Sequence, residues 1–153
     1  MKWYAIRVTY GREKKFCKAL EEKGFETFVP AVSNLCFVRS QKAGLDDYMA
    51  GMGEACPARY IWDRATRKPI VVPDKAMDDF IRVSRIMADE ALYLDDLGSK
   101  IREGQKVRVK NGPLAGVEGV VLRVKRSRRV VVELPGLMAI ATTFIHLSDL
   151  EIL

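Results

Sequence analysis

The side chains of this chain that could do chemistry are few, and they do not converge. His146 is the single histidine. It alternates with Ile145 and Leu147 and has no acid or nucleophile beside it in sequence, so it reads as a packed or surface histidine rather than a general base. Asp46-Asp47, Asp78-Asp79 and Asp95-Asp96 are adjacent pairs whose side chains diverge on a helix and make poor metal cages. Cys17, Cys36 and Cys56 are odd in number and widely spaced, with no Cys-x-x-Cys, and one histidine cannot complete a zinc site with them. They are expected as buried free thiols. Gly112 and Gly116 make no phosphate loop, because no Gly-Lys-Ser/Thr follows them. What remains is charge. Lys125, Arg126, Arg128 and Arg129 crowd one short segment, where each cation could neutralise a phosphate or a carboxylate. RNA, DNA or an acidic protein surface would suit them, and so would plain solvent around a turn; no aromatic interleaves to favour base stacking. No catalysis, cofactor or metal is expected.

The elements that must position these residues follow from periodicity. Val107 and Val109 alternate with Arg108 and Lys110, the period of a strand with one buried face. Asn111-Gly112-Pro113 is then a turn, and Gly116 and Gly119 interrupt the next apolar run, which suggests a bulge or a close backbone approach. Lys125 to Arg129 forms a hairpin tip before a strand from Val130 to Leu134. Pro135-Gly136 turns the chain into Leu137 to Ala141, and Phe144 to Leu147 with Glu151 to Leu153 closes the set. The sum is a very small β-barrel, too small to hold a ligand pocket.

Upstream, Trp3 to Thr9 reads as a strand and Arg12 to Lys23 as a helix with Phe16, Cys17 and Leu20 inward, stopped by Gly24. Phe25 to Val29 is a second strand. Asn34 to Arg39 is a third, apolar on both faces and therefore central. A short helix is expected over Gly44 to Gly51, then a hairpin of Arg59–Trp62 and Pro69–Val72 around a turn from Asp63 to Lys68. Pro73-Asp74 opens a helix whose buried stripe is Met77, Phe80, Ile81 and Ile86. Periodicity fades from Met87 to Glu103, which marks a boundary, although Leu92-Tyr93-Leu94 is apolar enough to dock on something.

Bulk properties bound the class. The 153 residues allow one average domain or two small ones, and 48% hydrophobic content fits a globular protein. No apolar run approaches the roughly 20 residues that span a bilayer, and the N-terminus has no secretory apolar core, so a cytoplasmic, non-membrane protein is expected. The net charge of +6 is uneven: residues 105–153 hold eight Lys+Arg against four Asp+Glu, leaving eighteen against sixteen in residues 1–104.

The stretch from Val107 to Val121 resembles the KOW motif, a module of the NusG family of transcription elongation factors and of some ribosomal proteins. Its marks here are Val107, Val109, Gly112, Pro113, Gly116 and Gly119. The N-terminal half is similar to the NusG N-terminal (NGN) domain: Trp3-Tyr4 before Gly11 and an amphipathic helix, Asn34 to Val38 as the central strand, and Arg59-Tyr60 leading to Pro69 to Pro73. Ala141-Thr142 to Leu150-Glu151 matches the family's C-terminal pattern.

The resemblance implies an α+β protein, with an N-terminal α/β sandwich on an antiparallel sheet and a small C-terminal SH3-like β-barrel. Residues 1–86 would be the NGN-like domain, 87–103 a linker and 104–153 the KOW barrel. It further implies a monomeric transcription elongation or antitermination regulator that catalyses nothing. In the family an apolar face of the NGN sheet grips the clamp helices of the largest RNA polymerase subunit; by position Trp3, Arg7, Val32 and Leu35 would form that face here, or else belong to the core. The barrel recruits a ribosomal small-subunit protein, Rho or nucleic acid. Two departures, Pro30-Ala-Val-Ser33 joining the strands directly with Leu35 where an aromatic is common, and no clear counterpart near Gln41 to Gly44 of the loop-contacting motif of specialised relatives, together with the short NGN-like domain make the chain resemble a specialised RfaH-like paralogue more than the housekeeping factor. The alternative is a KOW-type RNA- or ribosome-binding module in which the barrel is the active part.

Overall fold

A computed structural model describes residues 1–31, 34–94 and 104–153. The chain divides into two compact units, Met1–Asp74 and Lys75–Leu153.

The first unit is built on β1 (Lys2–Val8), which pairs antiparallel with β3 (Leu35–Ser40) along six residue pairs, Lys2↔Ser40 to Arg7↔Leu35. β2 (Glu26–Phe28) adds to the far edge of β3, while β4 (Ala58–Tyr60) and β7 (Val71–Val72) pair with β1 on its other side. The central place of β1 and β3 explains their composition. Both faces of a central strand are covered, so Trp3 to Ile6 and Leu35 to Val38 are all buried. α1 (Glu13–Glu22) and α2 (Lys42–Met52) lie on one face: Phe16, Cys17, Leu20 and Leu45 form a single core with Tyr4, Ile6, Val8, Cys36 and Val38. β5 (Trp62–Asp63) and β6 (Lys68–Pro69) form a two-residue ladder of their own.

Two of the three cysteines are not the free thiols expected. Cys17 on the inner side of α1 and Cys36 on β3 face each other across that core, with Cα atoms 6.5 Å apart, and form a disulfide. Cys56 is free.

The second unit opens with α3 (Asp74–Met87), β8 (Leu92–Leu94) and then β9 (Gln105–Val109). β10 (Glu118–Val124), β11 (Ser127–Leu134), β12 (Met138–Ala141) and β13 (Leu150–Ile152) follow. The sheet order is β13-β9-β10-β11-β12-β8, antiparallel throughout, with the last strand returning to pair with β9 at one edge and β8 forming the other. Register places Val130, Val132, Leu134, Met138 and Ile140 on one face, and Val131, Ala139 and Ala141 on the other. All eight are buried.

The segment expected as linker contributes a strand. Leu92–Leu94 pairs with Met138–Ala141, and Leu92 and Leu94 pack against Val131, Ala139 and Ala141. Alanines on β12 leave a shallow surface that the two leucines fill. The rest of that segment, 95–103, lies outside the described residues. α3 groups with this unit. Met77, Phe80 and Val83 are buried, but Ile86 is 44% exposed, contrary to the expected stripe. Nine positions beyond Met77, at 3.6 residues per turn, it emerges on the opposite side of the helix. The strand expected at Phe144–Leu147 does not form either. After Ile145 N–H reaches the Arg128 carbonyl at 3.2 Å, the chain leaves the ladder and makes a 3-10 turn, Leu147–Asp149. Among the described residues no helix is long and apolar enough to cross a membrane.

Candidate interaction surfaces

Strand alternation fixes which residues share a face. Trp3, Ala5 and Arg7 project to one side of β1, and their partners Arg39, Phe37 and Leu35 project with them. The structure thus brings Trp3, Arg7 and Leu35 onto one face, with Arg7 directly opposite Leu35 on one side and Arg59 on the other. Val32 lies outside the described residues. Trp3 is only 3% exposed and Leu35 6%, so this face is not a bare apolar patch; Arg7 and Arg59 are its exposed members. Arg7 Nη1 donates to Asn34 Oδ1 at 3.4 Å.

On the α-helical side, Tyr60 donates its hydroxyl to Asp46 Oδ1 at 2.6 Å, and Lys42 Nζ donates to Asp46 Oδ2 at 2.8 Å. The Lys42 hydrogen bond, then that from Tyr60, holds the Asp46 carboxyl below its ordinary pKa. Burial, then the adjacent carboxylate, pushes the Tyr60 hydroxyl well above its own. The pair ties α2 to β4 and leaves no titrating group near neutral pH.

In the barrel, Val107 and Val109 are buried, as their alternation requires. Between them Arg108 reaches both neighbouring strands: its Nε and Nη2 donate to Glu118 Oε1 at 2.9 and 2.6 Å, and its Nη1 to Glu151 Oε2 at 3.3 Å. Glu118 and Glu151 are its cross-strand partners in the β10 and β13 ladders. The Arg108 hydrogen bond holds the Glu118 carboxyl below its usual range. Gly112 (φ +87°) and Gly116 (φ +93°) are left-handed, and a Cβ on Gly119 would run into the Val131 carbonyl oxygen. These glycines therefore answer to backbone geometry rather than to a ligand.

The loop they shape, from Pro113 to Glu118, is held by α3. Arg82 donates to the carbonyls of Pro113 and Ala115 at 2.8 and 2.9 Å, and Lys75 Nζ to that of Gly116 at 2.8 Å. Asp79, 2% exposed, accepts from Lys75 Nζ at 2.9 Å and from the Glu118 N–H at 3.1 Å. Sequence patterning missed this set, because Lys75, Asp79 and Arg82 read as the polar face of an amphipathic helix.

The basic tip splits into two roles. Lys125 (φ +48°) and Arg126 (φ +66°) are the two central residues of the β10–β11 turn and are exposed. Arg123 and Arg128 face one another across the ladder. Arg129 points back into the fold: its Nε donates to the Val124 carbonyl at 3.1 Å and its Nη1 to that of Thr142 at 2.9 Å. It braces the hairpin that presents the others. His146 is exposed and stands edge-on to Phe144, ring centroids 4.9 Å apart. Among the described residues no group of His, Cys, Asp or Glu could hold a metal ion.

Comparison with known proteins adds to this geometry. Residues 1–61 match the family described as "Transcription termination factor nusG", and residues 103–133 match the "KOW motif". No curated protein matches the sequence. The fold is similar to a solved structure titled "Domain interaction in Thermotoga maritima NusG", with a TM-score of 0.50 at 19% identity, over 98% of this chain and 96% of that one.

Proposed function

This chain belongs to the NusG family of transcription factors, and we propose that it acts as an elongation or antitermination regulator. Its N-terminal part holds RNA polymerase at the clamp helices of the largest subunit, and its barrel recruits a second partner. One observation carries this: the two matches occur in a single chain, in order, at 1–61 and 103–133. A KOW barrel alone would serve a ribosomal protein equally well, whereas the N-terminal match has no such use.

In this proposal residues 1–86 hold the polymerase-binding surface, 87–103 the connecting segment, whose β8 joins the sheet of the second unit, and 104–153 the recruiting barrel, with α3 grouped with that second unit. Trp3, Arg7, Val32 and Leu35 remain the residues for the polymerase. With Trp3 and Leu35 buried in the free chain, Arg7 is the described member available to a first encounter. Lys125, Arg126 and Arg128 are the contacts to a ribosomal small-subunit protein, Rho or nucleic acid, with Arg129 holding their hairpin. The protein works by binding alone, as a cytoplasmic monomer.

Immobilised full-length chain incubated with lysate tests this. Core RNA polymerase should be retained, and less of it by Arg7→Glu. Retention of ribosomal RNA without polymerase would instead support a KOW-type RNA- or ribosome-binding module.

A further inference from the structure

Phe144 is 49% exposed and Leu147 60%, and His146 between them is exposed as well. The extended chain here turns Phe144 and His146 outward and half-buries Ile145. The 3-10 turn that starts at Leu147 then breaks the alternation, so Leu147 follows His146 to the surface. The backbone beneath is fixed. Ile145 N–H donates to the Arg128 carbonyl at 3.2 Å, Asp149 N–H to the His146 carbonyl at 3.0 Å, and Lys110 N–H to the Asp149 carbonyl at 2.7 Å. The bond from Ile145 seats this apolar ledge against β11, beside the basic hairpin tip. A partner would therefore meet a surface already ordered, and binding would lose little chain entropy.

The charge beside the ledge is of one sign. Arg123, Lys125, Arg126 and Arg128 form no ion pair among the described residues. The acid that follows the ledge, Asp149, is engaged by Asn111 Nδ2 at 3.2 Å. Lys125 (φ +48°) and Arg126 (φ +66°) are the centre of a two-residue hairpin turn, where Asn-Gly is the sterically easy choice. Keeping cations where the backbone disfavours any long side chain points to a use for the charge.

We propose that this side of the barrel docks an acidic amphipathic segment of another protein, with its apolar side chains on Phe144 and Leu147 and its carboxylates on Lys125, Arg126 and Arg128. An exposed apolar ledge beside unpaired cations is complementary to that chemistry in both respects. Nucleic acid would use the cations but leave Leu147, which has no π-face, idle, and Phe144 already meets His146 edge-on with the rings at 82°. A second copy of this chain, itself carrying a net charge of +6, would be repelled. The inference rests on the reading of the barrel as a recruiting module and deepens it, naming the partner's chemistry and adding two apolar residues to the cationic tip.

Fluorescence anisotropy of a labelled peptide repeating Glu-Phe-Asp-Leu, titrated with the full-length chain, tests it. Binding should weaken when serine replaces the peptide's apolar residues, vanish when lysine replaces its acids, and fall with added salt. A Phe144→Ser, Leu147→Ser double variant should bind about 5-fold or more weakly. Its melting temperature should stay unchanged, since about half or more of each side chain already meets water. Arg126→Gly, which removes charge where glycine fits, should weaken binding, flatten the salt dependence and leave the melting temperature unchanged or higher. Absence of binding, or full affinity in both variants, would overturn the proposal. So would displacement of the peptide by oligouridine with the double variant unaffected, which would give the tip to nucleic acid. A dimer seen by light scattering and abolished in the double variant would make the occupant a second copy and overturn it too. Retention of RNA polymerase from lysate, read on the same chain, separates the two readings. A chain that holds polymerase but not the peptide sinks this inference alone; one that binds the peptide without polymerase leaves it standing and sinks the reading of the N-terminal part.

Discussion

Asp79, buried on α3, accepts the backbone N–H of Glu118, 39 residues further along the chain, at 3.1 Å. The same carboxylate takes a hydrogen bond from Lys75 Nζ, and Arg82, three residues on, serves two carbonyls of the same loop. Removing the acceptor would strand a part-buried N–H. Asp79→Ala should therefore destabilise the second unit by about 1–3 kcal/mol, and Asp79→Asn, which keeps one acceptor oxygen, by less. Urea midpoints for both variants check this. Equal midpoints for the two would show that the hydrogen bond to Glu118 contributes nothing.

The hairpin tip should separate its arginines. Arg129→Ala leaves the carbonyls of Val124 and Thr142 without their charged donor and should cost about 1.5–3 kcal/mol. Arg128→Ala removes a charge facing Arg123 and should cost nothing or stabilise slightly, since like charges directly opposite repel. Thermal melts of the two single variants decide between bracing and binding for Arg129.

How much of this was legible in sequence follows the range of the interaction. Val107 and Val109 declare β9 by alternation, Gly112 declares its turn, and the apolar run at Leu35–Val38 declares a strand covered on both faces. Each signal lies within a few residues. The Cys17–Cys36 pairing does not, because it depends on α1 crossing β3 at one register. The strand at Leu92–Leu94 likewise exists because β12 offers it an alanine surface far along the chain. Arg129 looks like one more cation of its cluster until the carbonyls behind it are seen. Phe144–Leu147 misleads for the opposite reason, since a short apolar run carries a strand's composition without a ladder to join.

The disulfide should be visible in solution. Cys17 and Cys36 are 19 residues apart, and closing a loop of that size in the unfolded chain is worth about 3 kcal/mol. The oxidised chain should titrate one thiol, Cys56, under denaturing conditions and three after reduction. Reduction should lower the melting temperature, and a Cys17→Ala, Cys36→Ala double variant should melt at one temperature with or without reductant. Three thiols in the untreated chain would remove the crosslink from the account.

Acid should loosen the chain through two carboxylates. Glu118 is held below its usual pKa by the hydrogen bond from Arg108, and Asp46 by those from Lys42 and then Tyr60. A carboxyl with a depressed folded-state pKa stabilises fully above its unfolded value, about 4 for either type, and loses that contribution as pH falls through the lowered one. Stability should therefore hold from neutrality down to about pH 5 and decline below it. Side chains 32% and 40% exposed are screened by water, so the decline should be modest and smaller still in high salt. Urea midpoints measured from neutral to acid pH for Glu118→Gln with Asp46→Asn should start lower than wild type at neutrality and converge with it in acid. Parallel curves for the two proteins would mean that neither ion pair carries the acid sensitivity.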